Sequence, residues 1–443
     1  MRRNTPLGGV LVALALVLGA TPGAAEAQDS APSAIPAETL IETARAAIAK
    51  GALDDAELLL EGVTPDEGHI DALDFLHGTI ALKRGDWQGA IARFRAMLAR
   101  NPDLPRVRLD LAFAHFQAGE DGRAAHHFRL ALGTRDLPPV VRARALAFLD
   151  QIRRRKTWSV TGSVSVAPDT NINEATSATE VELFGLPADL SEEARRTSGV
   201  GLSANLSGAW EARLSPDTRF RTSAGLRTRS YRESAFNERV VSLRAGPRFL
   251  FEKFDLRPEL TGRLRDLGGA LYSRSVGLEL SGAWLLAPAW RLSAAAGGER
   301  LSYETFLGAG NTWSVHLGLT HALGHATLLS GDASFRREKL DDDARSWREY
   351  IFGVSATREL PRGYVVGGGP ILRWREYGAP LPIFGPQARR DRTMAGRVTV
   401  SNRRIDWFGF SPQITVRHER RYSNLALHDY TRTVAELSMV RTF

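Results

Sequence analysis

The chain has 443 residues, no cysteine and a formal net charge of +8, with 58 Lys and Arg against 50 Asp and Glu. A chain of this length is expected to form at least two domains. The absence of cysteine excludes disulfides, thiolate metal sites, a cysteine nucleophile and a lipid-modified N-terminal cysteine. After the N-terminal segment no apolar run reaches the roughly 18 residues of a transmembrane helix, so we expect either a soluble protein or a β-barrel.

Residues 1–27 have the features of a secretory signal peptide. The pair Arg2–Arg3 supplies positive charge, Val10–Leu18 is a short apolar core, and Ala25–Ala27 is a small-x-small cleavage site. The apolar core is too short to span a bilayer as a helix. We therefore expect an exported protein, in which residues 28–36 form a short polar lead-in.

Residues 37–156 are predicted to be helical and to repeat with a period of 34. Three residue types recur at this step, and the positions in the second and third copies are Gly85, Ala90, Phe94, Gly119, Ala124 and Phe128. A glycine can end the first helix of each copy in a left-handed turn, and a small alanine lets two helices approach closely. The phenylalanine fills the space beneath them. This spacing resembles that of tetratricopeptide repeats, although ordinary helical-bundle spacing is an alternative.

A tetratricopeptide domain forms a concave groove that binds extended peptides or partner proteins, so these positions are expected to hold the groove in shape. The basic run Arg153–Lys156 follows the last repeat. Nucleic acid is an unsuitable partner for an exported protein. We interpret this run as the solvated end of the last helix, beside a membrane surface.

From residue 157 to residue 443 the period changes to two. In the first run the apolar positions are Trp158, Val160, Gly162, Val164 and Val166, and the positions between them are Ser or Thr. An apolar face with aromatic ends, opposite a polar face, is typical of a barrel in lipid. Fourteen such runs begin near residues 157, 199, 218, 238, 256, 274, 290, 311, 326, 348, 364, 390, 408 and 430. The predicted fold is thus an α-helical tetratricopeptide-repeat domain followed by a 14-stranded antiparallel transmembrane β-barrel. A soluble β-rich sandwich or propeller is the alternative.

The connections between these runs alternate between short and long. Ser215–Asp217 is one of the short ones, and residues 168–198 form one of the long ones. Because outer-membrane barrels have short periplasmic turns and long surface loops, we expect the repeat domain and Phe443 to lie in the periplasm. A terminal aromatic residue resembles the C-terminal signal that the barrel-assembly machinery reads.

The first run ends in Pro168, Asp169, Thr170, Asn171, Ile172 and Asn173. The alternating acid and amides match the first three ligands of a calcium loop, but Glu174 stands where such loops need glycine. A second interpretation is that the Asp and Asn side chains end the strand at the outer rim by forming turns. We expect no metal, no cofactor and no catalytic residue.

The combination of signal peptide, short repeat domain, Pro168–Asn173 segment and 14-stranded barrel resembles the surface lipoprotein assembly modulator (Slam) family. The resemblance covers nearly the whole mature chain. It implies an outer-membrane translocon that exports specific client proteins, either surface lipoproteins or soluble secreted binding proteins. The implied partners are the client, the barrel-assembly machinery with periplasmic chaperones, and outer-membrane lipid.

Two other function classes are consistent with parts of this pattern. A polysaccharide exporter also joins periplasmic repeats to a barrel, and an arginine-rich lumen suits an anionic polymer. The arginines predicted to face inward on the third and fifth strands are Arg221, Arg227, Arg229, Arg257, Arg263 and Arg265. Pairing with inward acids such as Glu259 explains the same arginines without a ligand. An enzyme is disfavoured because the barrel histidines are scattered, namely His316, His321, His325, His418 and His428.

Overall fold

The computed structural model describes residues 35–442 apart from 67, 135–136, 156, 306, 403 and 406–409. The expected signal peptide 1–27, most of the lead-in 28–36 and Phe443 lie outside the described residues. Within this part of the chain, no helix is long and apolar enough to cross a membrane.

Seven α-helices form the N-terminal domain in the described residues. They are α1 (Ala37–Lys50), α2 (Leu53–Glu61), α3 (Ile70–Arg84), α4 (Trp87–Arg100), α5 (Pro105–Gln117), α6 (Asp121–Leu132) and α7 (Pro139–Arg155). Helices α1 to α6 pack as successive pairs, as expected for helical repeats.

The repeated residues occupy equivalent places in these pairs. Gly85 and Gly119 follow α3 and α5 with φ angles of 80° and 77°, in the left-handed region. Ala90, Ala124 and Phe94 are fully buried, and Phe128 is 2% exposed. A Cβ atom on Gly78 of α3 would lie 2.6 Å from Cε1 of Phe94. The close approach of α3 and α4 therefore requires glycine at this position.

The C-terminal domain is a closed antiparallel barrel of fourteen strands, which confirms the predicted architecture. Its strands are β1 (Trp158–Asp169), β4 (Gly199–Arg213), β5 (Thr218–Ser230), β6 (Glu238–Leu250), β7 (Phe254–Leu267), β8 (Ala270–Ala287), β9 (Trp290–Tyr303), β10 (Ala309–Leu323), β11 (Thr327–Leu340), β12 (Trp347–Glu359), β13 (Tyr364–Tyr377), β14 (Arg390–Asn402), β15 (Ser411–Ser423) and β16 (Tyr430–Thr442). Each strand pairs with the next barrel strand along the chain, so that β1 pairs with β4. The barrel closes where β1 also pairs with β16.

The first long loop contains a hairpin that the sequence analysis had treated as loop. Its strands are β2 (Glu180–Leu183) and β3 (Leu186–Asp189). Phe184 and Gly185 form the turn with φ angles of 53° and 77°. The backbone N–H of Phe184 donates to the carbonyl of Ile383, 2.8 Å away in the loop between β13 and β14. The hairpin therefore connects two surface loops.

The two faces of the barrel differ as the alternation predicts. On β1 the side chains of Trp158, Val164 and Val166 are 57%, 52% and 47% exposed on the outside, where a bilayer would cover them. Inside, the Arg221 guanidinium lies 2.8 Å from the Glu259 carboxylate. Other lumen arginines are paired in the same way, including Arg244 with Glu279, Arg248 with Glu211 and Arg265 with Glu238.

The interpretation of Arg153–Lys156 as a solvated helix end is wrong for the three described arginines. Arg153 donates to the carbonyl of Glu252 at 3.1 Å, and Arg154 lies 2.6 Å from Asp217. Arg155 lies 3.8 Å from the centre of the Phe116 ring and also contacts Asp121. Two of these arginines thus bind short turns of the barrel, and the third fastens α7 to the repeats.

Prediction. Replacing Gly119 by Ala should lower the stability of the repeat domain by about 1 kcal/mol, because an L residue is strained at a positive φ. A steric clash does not contribute, since no atom lies within 4 Å of a Cβ built on Gly119. Gly122 has the same open space but lies inside α6, so Gly122→Ala should be neutral or stabilising. Thermal unfolding followed by helical circular dichroism tests this, and equal melting temperatures for both variants would contradict it.

Candidate functional site

The seam where the barrel closes is its shortest described ladder. Within the described residues, seven positions of β1 have a partner in β16, whereas twelve have one in β4. The ladder of the seam runs from Thr161 to Val166, omits Ala167 and Pro168, and resumes at Asp169. Proline has no N–H to donate to a ladder. Other groups must therefore hold the outer end of the seam.

The segment after Pro168 supplies those groups. The N–H of Thr170 donates to the carbonyl of Thr433 at 3.0 Å. The N–H of Thr433 donates in return to the Thr170 hydroxyl at 2.9 Å. The Asn171 amide, which is fully buried, donates to the carbonyls of Ala175 and Thr431 at 2.8 and 3.3 Å. Side chains thus replace ladder hydrogen bonds at this end of the seam.

A buried ion pair lies directly behind these contacts. The Arg432 guanidinium lies 2.6 Å from the Asp169 carboxylate and 2.7 Å from that of Glu174. Asp169 and Arg432 are 4% and 9% exposed. Tyr430 donates to Glu174 and to Glu419 at 3.2 and 3.1 Å. The network joins β1, the first surface loop, β15 and β16.

The charge of Glu174 follows from its surroundings. Burial alone would raise the pKa of this loop carboxyl, but the positive charges of Arg432 and Arg421 outweigh burial and lower it. Glu174 therefore remains ionised at neutral pH and stabilises the arginines at the rim.

The last two residues of the segment hold the returning end of the first surface loop. The N–H of Ile172 donates to the carbonyl of Thr197 at 2.8 Å. The Asn173 amide donates to the carbonyl of Arg195 at 2.7 Å and accepts from the N–H of Thr197 at 3.1 Å. Pro168 itself is exposed. The structure thus brings residues 169–173 together as one polar cluster and gives them contacts to protein groups. No metal-binding group of His, Asp and Glu side chains is present among the described residues.

A second cluster fastens the repeat domain to the opposite end of the barrel. Arg108 of α5 is fully buried and donates to the Glu359 carboxylate, at the end of β12, at 2.7 Å. The same guanidinium donates to the carbonyl of Pro102 at 2.7 Å. His126 lies 3.1 Å from the other oxygen of Glu359. A Cβ on Gly133, just after α6, would clash with the carbonyl oxygen of Gly324 in the turn after β10.

A cavity of about 1220 Å³ lies between the docked repeats and the barrel mouth. Its repeat-domain wall includes Ala92, Ala96 and Ala99 of α4 together with residues of α5 and α6. The barrel wall includes Trp158 and Val440, at the inner end of the seam. The cavity therefore lies between helices α4 to α6 of the repeats and the two strands that close the barrel, β1 and β16.

Two carboxylates, Glu120 and Asp121, line the repeat side of this cavity. The hydrogen bond of 2.8 Å between His115 and Glu120 lowers the pKa of Glu120 to about 2. Arg123 also lies 3.0 Å from Glu120, so this acid is neutralised by its neighbours and does not repel an anionic ligand.

The lumen holds two further cavities, of about 680 and 450 Å³. The larger one shares Val365, Ser401 and Gln413 with the cavity under the repeats. The two spaces therefore adjoin at these three residues, at the mouth of the barrel below the repeat helices.

Several residues of these clusters were not predicted from the sequence. Arg432 and Tyr430 could have been predicted, because closing the barrel places the start of the last strand beside the end of the first. Arg108 and Glu359 could not, since neither carries a periodic signal and they are 251 positions apart. Of the repeat positions, Ala90, Phe94, Ala124 and Phe128 are buried in the repeat domain. Gly85 and Gly119 are exposed in its turns, and all six lie away from the seam cluster.

A closed barrel with an apolar exterior, joined to helical repeats at one mouth, defines an outer-membrane β-barrel protein. The family model "Surface lipoprotein assembly modifier" matches residues 158–443, and a tetratricopeptide-repeat model matches residues 81–147. The chain therefore belongs to the surface lipoprotein assembly modifier family, which confirms the resemblance seen in the sequence.

Individual relatives agree with this assignment. Over 381 residues the chain is 23% identical to surface lipoprotein assembly modifier 1 of Neisseria meningitidis serogroup B, covering 83% of this chain and 75% of the relative. It is 23% identical over 395 residues to the surface lipoprotein assembly modifier of Pasteurella multocida, covering 84% and 76%. Among solved structures, a Pseudomonas aeruginosa FadL homologue aligns with a TM-score of 0.38 and 10% identity, over 68% of this chain and 91% of that chain. That likeness carries no argument about function.

Prediction. Replacing Asp169 by Ala should lower the free energy of unfolding by about 3–5 kcal/mol, because Arg432 would keep a buried charge without its main partner. The matched control is Asp332→Ala, which removes an exposed carboxylate from β11 and should have little effect. Urea unfolding of the barrel in lipid vesicles gives both values. A loss no larger for Asp169→Ala than for Asp332→Ala would show that the ion pair does not stabilise the seam.

Prediction. Replacing Glu359 by Gln should loosen the docked repeat domain, because the buried Arg108 loses its counter-charge. Since the chain has no cysteine, spin labels can be placed on engineered cysteines at the exposed positions Glu38 and Asp343. We expect a broader distance distribution in Glu359→Gln. The control Glu436→Gln changes a lumen carboxylate away from the interface and should leave the distribution unchanged. An unchanged distribution in both variants would contradict this role of Glu359.

Proposed function

We propose that this protein is an outer-membrane translocon that exports specific client proteins to the cell surface or into the medium. The observation that carries the proposal is that the cavity under helices α4 to α6 of the repeats adjoins the larger lumen cavity at Val365, Ser401 and Gln413. A diffusion porin has no use for a peptide-binding domain docked across its mouth. The names of the relatives point to surface lipoproteins as one client class, and soluble binding proteins are the other.

The orientation that we propose places the repeat domain in the periplasm. It docks on the end of the barrel that carries the short turns, such as those at Asp217 and Glu252. Long loops, including the one with the β2–β3 hairpin, lie at the other end. In outer-membrane barrels the short turns are periplasmic. Periplasmic chaperones and the barrel-assembly machinery are the proposed partners for insertion, with Phe443 as part of the signal.

In this proposal the chain binds and guides its client and has no catalytic step. The repeats receive the client in an extended form, since an inner wall rich in alanine leaves room for a polypeptide. Docking through Glu359 keeps that wall aligned with the lumen. The energy for export is proposed to come from folding of the client outside the cell.

The alternative of a polysaccharide exporter is less well supported. Its main argument was the number of inward arginines on the third and fifth strands. Of these, Arg221 and Arg265 lie 2.8 and 2.7 Å from Glu259 and Glu238, and Arg263 lies 3.4 Å from Glu299. The charges of these three arginines are already neutralised, so they offer little attraction to a polymer, and the argument for this alternative loses half of the six arginines on which it rested.

Prediction. Co-expression with the small exported protein encoded nearest to this chain should bring that protein to the surface of intact cells, as detected by antibody labelling. Without this chain the client should stay inside. An unrelated exported lipoprotein serves as the specificity control and should not change its location. Heat-modifiable gel migration confirms that the barrel is inserted. If the client does not move while deletion of this chain abolishes a surface glycan, the polysaccharide exporter replaces the proposal.

A further inference from the structure

The larger lumen cavity carries a group of arginines on one wall. Arg373, Arg397 and Arg417 come from the adjacent strands β13, β14 and β15 and line this space of about 680 Å³. Five arginines line the cavity in total, against the three acids Glu174, Glu419 and Glu436. The lining therefore carries more arginines than acids, while Arg432 and Arg373 also contact Asp169 and Glu349 outside it.

Two of these arginines face each other directly. Arg397 and Arg417 are register partners in the β14–β15 ladder, and like charges at directly opposite positions destabilise a sheet. Arg417 lies 2.6 Å from Glu419. For Arg397, no ion pair with a carboxylate is present in the described part of the chain. The arrangement thus leaves one positive charge that a negative group could neutralise.

The third arginine has a shared partner. Arg373 lies 3.6 Å from Glu349, and the same carboxylate oxygen lies 2.8 Å from Arg375. Within the described residues, the buried Nε atoms of Arg373 and Arg417 have no hydrogen-bond partner. Buried donors are usually hydrogen-bonded in native proteins, so an acceptor in the cavity would satisfy these two atoms.

The remaining wall is small and polar. It includes Thr357, Thr399 and Thr415, with Gly367 and Gly368 between them. Hydroxyl and guanidinium donors favour a ligand with oxygen acceptors, and guanidinium forks match carboxylate oxygens in pairs. Glycine leaves space for an extended chain beside the arginines.

We propose that this cavity binds the carboxylates of an acidic segment in the exported polypeptide, with Arg397 as the main contact. The inference rests on the proposed export of a client protein. A polypeptide is favoured over a small resident anion because the cavity shares Val365, Ser401 and Gln413 with the space under the repeats. A chain released from the repeat domain therefore meets these arginines directly inside the lumen.

The test uses the purified full chain in detergent and a fluorescent peptide of about ten glutamates, with binding followed by fluorescence anisotropy. Wild-type protein should bind this peptide and not the matching lysine peptide. Arg397→Gln should weaken binding about tenfold or more, since charge-assisted hydrogen bonds are the strong ones. Arg397→Lys should restore part of it. The matched control is Arg227→Gln, which removes an exposed arginine of β5 outside the cavity and should leave binding within about twofold.

Three results would overturn the inference. The first is that the wild-type protein does not bind the glutamate peptide. The second is that Arg397→Gln and Arg227→Gln weaken peptide binding equally. The third is that the protein binds inorganic pyrophosphate and that the peptide does not bind at the same site. The last result would assign the cavity to small anions. The co-expression assay with wild-type protein separates this failure from that of the proposed function. If surface export is normal and the peptide does not bind, only the inference about the acidic segment fails.

Discussion

The constraint on which this structure depends is that a β-sheet in lipid must have no free edge. Every backbone N–H and C=O in the hydrocarbon region needs a partner from the protein, so β1 has to meet β16. This closing contact joins the two ends of the domain, and its ladder stops short at Pro168. The side chains of Thr170 and Asn171 and the buried Asp169–Arg432 pair complete it at the outer rim. The motif that most resembles the family is thus the part of the sequence that closes the sheet.

The pairing of β1 with β16 also explains where the repeat domain is attached, at the opposite end of the barrel. Because β1 follows α7 directly, the repeat domain is held beside the inner end of the seam. A single covalent connection would allow it to swing, but Glu359 on β12 binds Arg108 and His126 from a distant part of the mouth. The two attachments, together with the arginines of α7, fix the inner wall of the repeats over the lumen. The cavity under the repeats therefore lies directly against the mouth of the barrel.

Much of this architecture follows from periodicity in the sequence, and the exceptions have physical reasons. A period of 34 fixes Gly85, Ala90 and Phe94 in one packing arrangement, and a period of two fixes which face of each strand meets lipid. The hairpin at Phe184 was not predicted because strands of four residues contain too few alternating apolar and polar positions to be recognised. The Arg108–Glu359 contact was not predicted because the docking of two domains depends on their surface shape and on individual charged residues. Neither of these produces a periodic pattern in the sequence. Arg432 is intermediate in predictability, since barrel closure and strand parity place it on the same face as Asp169, two positions from the register partner Val434.

The charged side chains of the lumen are distributed unevenly around the barrel wall. On strands β5 to β8 the acids Glu259, Glu279 and Glu238 neutralise Arg221, Arg244 and Arg265, and these pairs stabilise the interior. On β13 to β15 the arginines outnumber their acids around the cavity that adjoins the space under the repeat domain. Like charges on adjacent strands cost stability, and the rest of the barrel shows that paired arrangements were available. Arg397 is the arginine on this wall for which the described residues supply no carboxylate, which is why the proposed acidic segment is assigned to it.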